Sequence, residues 1–147
     1  MSIKGLLGIN MKTEPIYGWL YISQPAKHVN FNTVQKISTV SYRNNRKRNL
    51  SGALIYDHRH FIQYVEGEWS VIAALREKIQ LNTNHYEILT VTFGEIFQRR
   101  FKNWTMSYIG YDKYQQIIPA LAMEGFNPYI MEEERLLEII KAIQMVA

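Results

Sequence analysis

The chain has 147 residues, 47% apolar and 20% charged, and its 17 Lys and Arg against 13 Asp and Glu leave a net charge of +4. That is one domain long enough to bury a core, and mildly basic, which permits a nucleic-acid or acidic partner without requiring one. There is no cysteine, so disulfides, thiolate nucleophiles and cysteine zinc sites are excluded.

Residues 1–16 read as an N-terminal arm, because their short apolar patch lacks the small-residue cleavage site of a signal peptide. YGWLYISQ at 17–24 is rich in aromatic and β-branched residues and reads as a strand stopped by Pro25. Residues 31–46 place Phe31, Val34, Ile37 and Val40–Ser41 at helical spacing, with Asn30 or Asn32 able to cap the start. The basic run Arg43–Arg48 is then a solvated helix end, favoured by the helix dipole. SGALIYD and HFIQYVEGE are two strands joined by a tight turn at Asp57–His60, and Glu66–Gly67 reads as a further turn. His58 and His60 flank Arg59 as turn residues, not metal ligands. Ser70–Leu81 is a second helix with Val71, Leu75 and Ile79 on one face. EILTVTFGEI is a fourth strand, followed by the polar and basic stretch Gln98–Arg100. TMSYIGY is a short fifth strand. Tyr114–Met123, a break at Gly125–Pro128 and a helix over 131–146 complete the chain. No apolar run approaches the roughly 18 residues that cross a bilayer, and the expected location is cytoplasmic.

The order β-α-β-β-α-β is the ferredoxin-like unit, an α+β fold whose two crossover helices cover one face of the sheet. The expected architecture is that βαββαβ sandwich with a short fifth strand and C-terminal helices. The expected division is an arm at 1–16, a domain at 17–111 and a helical extension at 112–147. One residue in this pattern is out of place. Alternate side chains share a face of a strand, so Phe61, Gln63 and Val65 point the same way. A glutamine on an apolar face needs a hydrogen-bond partner. Strands one and three are central neighbours in this topology, so Tyr21 can meet Gln63 on the helix-covered face. A cleft between the helices is then the natural pocket.

Taken singly, Tyr21 is a core tyrosine, Asn44 and Asn45 are a helix end, and Trp104 and Met106 are edge-strand packing. As a set they say more. YIS at 21–23, SYRNN at 41–45, SGALIYDHRHFIQYVEG at 51–67, NHYEI at 84–88 and RRFKNWTM at 99–106 resemble, in order and spacing, a BLUF domain. The resemblance covers about residues 17–110. It implies a blue-light sensor that binds flavin without a covalent link, commonly FAD, with FMN also tolerated. By that resemblance Tyr21 is the photoactive electron and proton donor. Gln63 lies between it and the flavin ring, Asn45 bonds the ring edge, and Trp104 and Met106 relay the signal. Ile37, Ser41, Asn44, Phe61, Val65, Lys78, Ile79 and His85 fall where the family lines the ring and ribityl chain. Where the family usually carries Asp-x-Arg-His, this chain has Asn82-Thr83-Asn84-His85, so two charged contacts have become amides. Without cysteine, photochemistry through a cysteinyl adduct is excluded.

About 37 residues follow the motif, too few for a cyclase, phosphodiesterase or DNA-binding domain. The expectation is a non-enzymatic photoreceptor that signals through a homo-oligomer or an unknown downstream protein. No metal, nucleic acid or membrane is expected. An RNA-binding module on a similar sheet is the alternative, invited by the basic charge and the aromatic strands. It lacks that class's aromatic-glycine strand signature and needs Phe61 and Gln63 on the open side of the sheet. An acylphosphatase-like hydrolase would need a phosphate-cradling loop after strand one, and no Gly-rich loop is there.

Overall fold

A computed structural model describes residues 14–56, 59–108 and 127–146. Its elements are β1 (Ile16–Pro25), α1 (Phe31–Lys47), β2 (Ser51–Tyr56), β3 (Phe61–Glu68), α2 (Trp69–Gln80), β4 (His85–Ile96), β5 (Trp104–Tyr108), a 3-10 turn (Pro128–Ile130) and α3 (Glu133–Val146). The strands form a single sheet in the order β4-β1-β3-β2-β5. The first four are antiparallel neighbours and β5 runs parallel to β2. This is the ferredoxin-like βαββαβ fold with the fifth strand added at the β2 edge. The 1–13 arm, the Asp57–His58 part of the turn, residues 109–111 and the Tyr114–Met123 segment lie outside the described residues.

Local chemistry explains the boundaries. Asn30 caps α1 by accepting a hydrogen bond from the Thr33 N–H at 3.0 Å, and the Thr33 hydroxyl oxygen accepts from the Asn30 N–H in return. Helix α2 starts directly from β3 at Trp69, leaving no room for a turn at Glu66–Gly67. Both residues belong to β3, and Glu66 is fully buried. The acidic-glycine pair imitates a turn signal. Four donors satisfy the carboxylate inside the sheet: Tyr64, two residues before it on the same strand face, and Ser51, Arg100 and Phe101, which the sequence does not show as neighbours.

Strand alternation divides the core in two. Trp19, Tyr21, Leu54, Phe61 and Val65 face α1 and α2 and pack with Val34 and Ile72. Leu20, Ile22, Ala53, Ile55, Ile62 and Tyr64 face the other way, beneath Leu136, Leu137, Ile139 and Ile140 of α3. The side chain of Ile143, three residues further along α3, lies outside the described residues. Gly52 has a φ of +136°, and a Cβ there would collide with the Tyr64 carbonyl, so β2 and β3 close on each other only with glycine at that position. No helix among the described residues is long and apolar enough to cross a membrane.

Candidate functional site

The pairing of β1 with β3 sets Tyr21 directly opposite Gln63. Both are 4% exposed, and the Gln63 Nε2–H donates to Tyr21 Oη at 2.7 Å. On its other side Gln63 Oε1 accepts from the Trp104 indole Nε1–H at 3.3 Å. The glutamine on the apolar face therefore has two protein partners. Indole N–H can only donate. The Gln63 atom facing Trp104 must be the oxygen, which leaves Nε2 for Tyr21. Burial raises the Tyr21 phenol above its ordinary range, opposed by the Gln63 hydrogen bond, so this hydroxyl keeps its proton.

Above this pair, between α1 and α2, lies a cavity of about 120 Å³. It is lined by Tyr21, Ile37, Ser41, Asn45, Leu54, Phe61, Gln63, Leu75, Ile79, Asn82, Asn84 and His85. Sequence reasoning named ten of these twelve and missed Leu54 and Leu75. Both are leucines on faces where a core residue reads the same way. Asn44, Val65 and Lys78 are not among the lining. Asn44 is one helical step round from Asn45, Val65 is buried in the core beneath the cavity, and Lys78 is on the exposed side of α2. The Met106 backbone sits in β5 opposite Leu54, and its side chain lies outside the described residues.

The mouth near β4 is ordered by neutral groups. His85 Nε2 bonds the Ile79 carbonyl at 2.8 Å, so that nitrogen carries the proton, and Nδ1 accepts from the Ser23 hydroxyl at 2.7 Å. Asn82 Oδ1 accepts from the Asn84 N–H at 2.7 Å, and Asn84 Oδ1 meets His28 Nε2 at 2.9 Å. The two amides that stand where charges were expected thus hold this loop together. Burial lowers the His85 pKa from its ordinary 6.5, opposed by the Ile79 hydrogen bond. The unfolded chain then takes up this proton at higher pH than the folded one. The His85 contribution to stability is present above pH 6.5 and is lost as pH falls through the lowered folded value. Urea midpoints measured from pH 8 to 5 should show this loss, and His85→Gln should lack it.

The cavity suits a flat apolar ring with a polar edge. Ile37, Leu75 and Ile79 supply aliphatic walls. Asn45 is 4% exposed and lines the cavity, where an amide can offer both a donor and an acceptor.

Comparison with known proteins agrees. Residues 16–107 match the family described as BLUF, sensors of blue-light using FAD. The chain belongs to that family. Its fold is shared with BlrB, a BLUF protein in its dark state, at 23% identity and a TM-score of 0.74 over 92% of this chain and 99% of that one. It is also shared with BlsA in its photo-activated state, at 24% identity and a TM-score of 0.72 over 87% and 94%. A bacterial light-regulated adenylyl cyclase is 27% identical with a TM-score of 0.69, over 88% of this chain and 39% of that protein. The photoactivated adenylate cyclase subunit alpha of Euglena gracilis is 28% identical over 79 residues, which are 54% of this chain but 8% of that protein.

Proposed function

We propose that the chain is a blue-light photoreceptor that holds the isoalloxazine ring common to FAD and FMN between α1 and α2, and that Gln63 converts its excitation into a movement of Trp104. The observation that carries this is the chain of hydrogen bonds Trp104–Gln63–Tyr21 on the cavity floor. When bound and excited, flavin supplies an electron acceptor. Tyr21 is suited to give an electron because its proton, held by burial, can leave once the ring is oxidised. As it stands Gln63 presents Nε2–H to Tyr21 Oη at 2.7 Å and cannot take that proton; once the amide turns, its Oε1 faces Tyr21 and can accept it. Rotation of the amide would set Nε2–H against the Trp104 N–H, two donors facing each other. Trp104 cannot keep its contact once Gln63 turns, and a change at one side chain becomes a change in β5. Asn45 orients the ring edge, and Ile37, Leu75 and Ile79 exclude water from its faces.

Output then passes to a partner protein or a change of assembly between copies of this chain. The RNA-binding alternative is not supported. The sheet face that would stack bases lies under α3, and Phe61 and Gln63 face the helices. The test is a light-minus-dark absorption spectrum of the purified, flavin-loaded protein. The expected result is a modest red shift of the flavin band that decays in darkness. A flavin-loaded protein with no light-dependent change would refute the reading.

A further inference from the structure

On the face opposite the cavity, β3 carries a second polar group at its far end, the fully buried Glu66. Its Oε1 accepts from the Tyr64 hydroxyl at 3.0 Å and from the Arg100 N–H at 2.9 Å. Its Oε2 accepts from the Ser51 hydroxyl at 2.9 Å, the Arg100 N–H at 2.9 Å and the Phe101 N–H at 2.7 Å. Two successive backbone N–H groups closing on one carboxylate form an anion-binding concavity. Arg99 adds its guanidinium through the Ser51 hydroxyl, at 2.9 Å. Tyr64 stays a donor, because burial and the neighbouring Glu66 charge raise its phenol above the ordinary range.

The place of this contact in the topology matters. β4 and β5 are the two edges of the sheet, yet residues 97–103 alone join them. Four strand spacings amount to about 19 Å. The eight Cα–Cα steps from Ile96 to Trp104 reach at most about 29 Å. The connection is therefore a short one that must cross the sheet, and Glu66 grips it at Arg100–Phe101, over the central strand. Trp104 follows three residues later, and the Asn103 carbonyl is tied to the Gly52 N–H at 3.0 Å. Phe101 is buried against Tyr64, with ring centroids 5.4 Å apart. From above, Lys141 of α3 donates to the Arg100 carbonyl at 3.4 Å.

Resting on the photoreceptor reading, we propose that Glu66 is the positioning residue of the photoswitch: its carboxylate anchors the β4–β5 crossing to β3, and so sets the Trp104 indole against Gln63. β3 bears Gln63 on one face and Glu66 on the other, so the strand that starts the signal also holds the segment that receives it. An amide at position 66 presents an NH2 to donors that require oxygen, which frees the crossing without changing side-chain size.

The test is a double-mutant cycle of Glu66→Gln with Trp104→Phe, with two readouts. In the dark, hydrogen exchange at the Arg100 and Phe101 amides should quicken in Glu66→Gln by at least about tenfold, and the increase should extend into the β5 amides. After illumination, dark recovery should slow by about tenfold, because the Trp104–Gln63 contact favours the dark arrangement. The double variant should recover like Trp104→Phe alone, within about twofold. If Glu66→Gln does not fold, Tyr64→Phe and Ser51→Ala, which each remove one hydroxyl donor, carry the same cycle. Additive effects on recovery, or faster exchange confined to residues 100–101 with β5 unchanged, would overturn the proposal and leave Glu66 a purely structural group. The exchange readout needs no light. A wild type without a photocycle would therefore refute the photoreceptor reading, while the dark arm still decides whether Glu66 positions β5.

Discussion

Gln63→Leu and Tyr21→Phe are expected to bind flavin yet show no red-shifted state under blue light. Leucine keeps approximately the volume of glutamine, so the cavity floor between Tyr21, Leu54 and Phe61 stays filled. It removes the acceptor for the Trp104 Nε1–H and the donor to Tyr21 Oη, both within the buried core. Each buried group left unpaired costs about 1–3 kcal/mol, enough to lower the melting temperature but within the 5–15 kcal/mol by which such domains are stable. Phenylalanine at 21 keeps the ring and takes away the hydroxyl, the proposed source of the proton. Binding should survive in both variants because Ile37, Asn45, Leu75 and Ile79, the residues proposed to hold the ring, are untouched. The measurement is flavin content by absorbance together with light-minus-dark spectra. A normal photocycle in Gln63→Leu would remove the amide from the mechanism.

That Gln63 could be singled out before the structure follows from strand periodicity, because a glutamine sharing a face with Phe61 and Val65 is conspicuous. Tyr21 comes to it through the ferredoxin-like strand order, and the roles of the pair through the family resemblance. Neither periodicity nor motif finds Leu54 and Leu75, because a leucine that touches a ligand and one that touches only core occupy the same pattern. Val65 and Lys78, which the resemblance puts at the cofactor, are outside the cavity lining: Val65 is in the core beneath the cavity, and Lys78 is on the exposed side of α2. Glu66 was read as part of a turn for a further reason. Two of its four donors, beside the Ser51 and Tyr64 hydroxyls, are backbone N–H groups 34 and 35 residues away, and backbone donors leave no mark in a sequence. Only the topology, which drags the β4–β5 connection across β3, brings them to the carboxylate.

Ile140→Ala is expected to cost about 2–5 kcal/mol, as deletion of a buried aliphatic side chain does, and to leave the light-induced red shift intact. α3 is amphipathic, with Glu133 and Glu134 in its first turn where the dipole favours acidic side chains. Its buried side, Leu136, Leu137, Ile139 and Ile140, covers an apolar sheet face built from Leu20, Ile22, Ala53, Ile55, Ile62 and Tyr64. Each such side chain contributes about 1.5–3 kcal/mol by leaving water, so the helix as a whole supplies a large share of what holds the domain together. For a chain of this size each kcal/mol moves the melting temperature by about 2–4 °C. The variant should therefore melt roughly 4–20 °C below the parent, whereas Ile130→Ala, at a position 81% exposed, should change stability by less than about 0.5 kcal/mol. The red shift should persist because Tyr21, Gln63 and the cavity lie on the other face of the sheet, with the strands between. Thermal melts and light-minus-dark spectra on the same samples separate the two effects. Should Ile140→Ala melt with the parent, α3 would be only loosely seated, and its contact with the sheet could not be part of the core. Should the red shift vanish with an intact fold, the two faces would be coupled in the chromophore's own response, and the separation drawn from the strand alternation would fail.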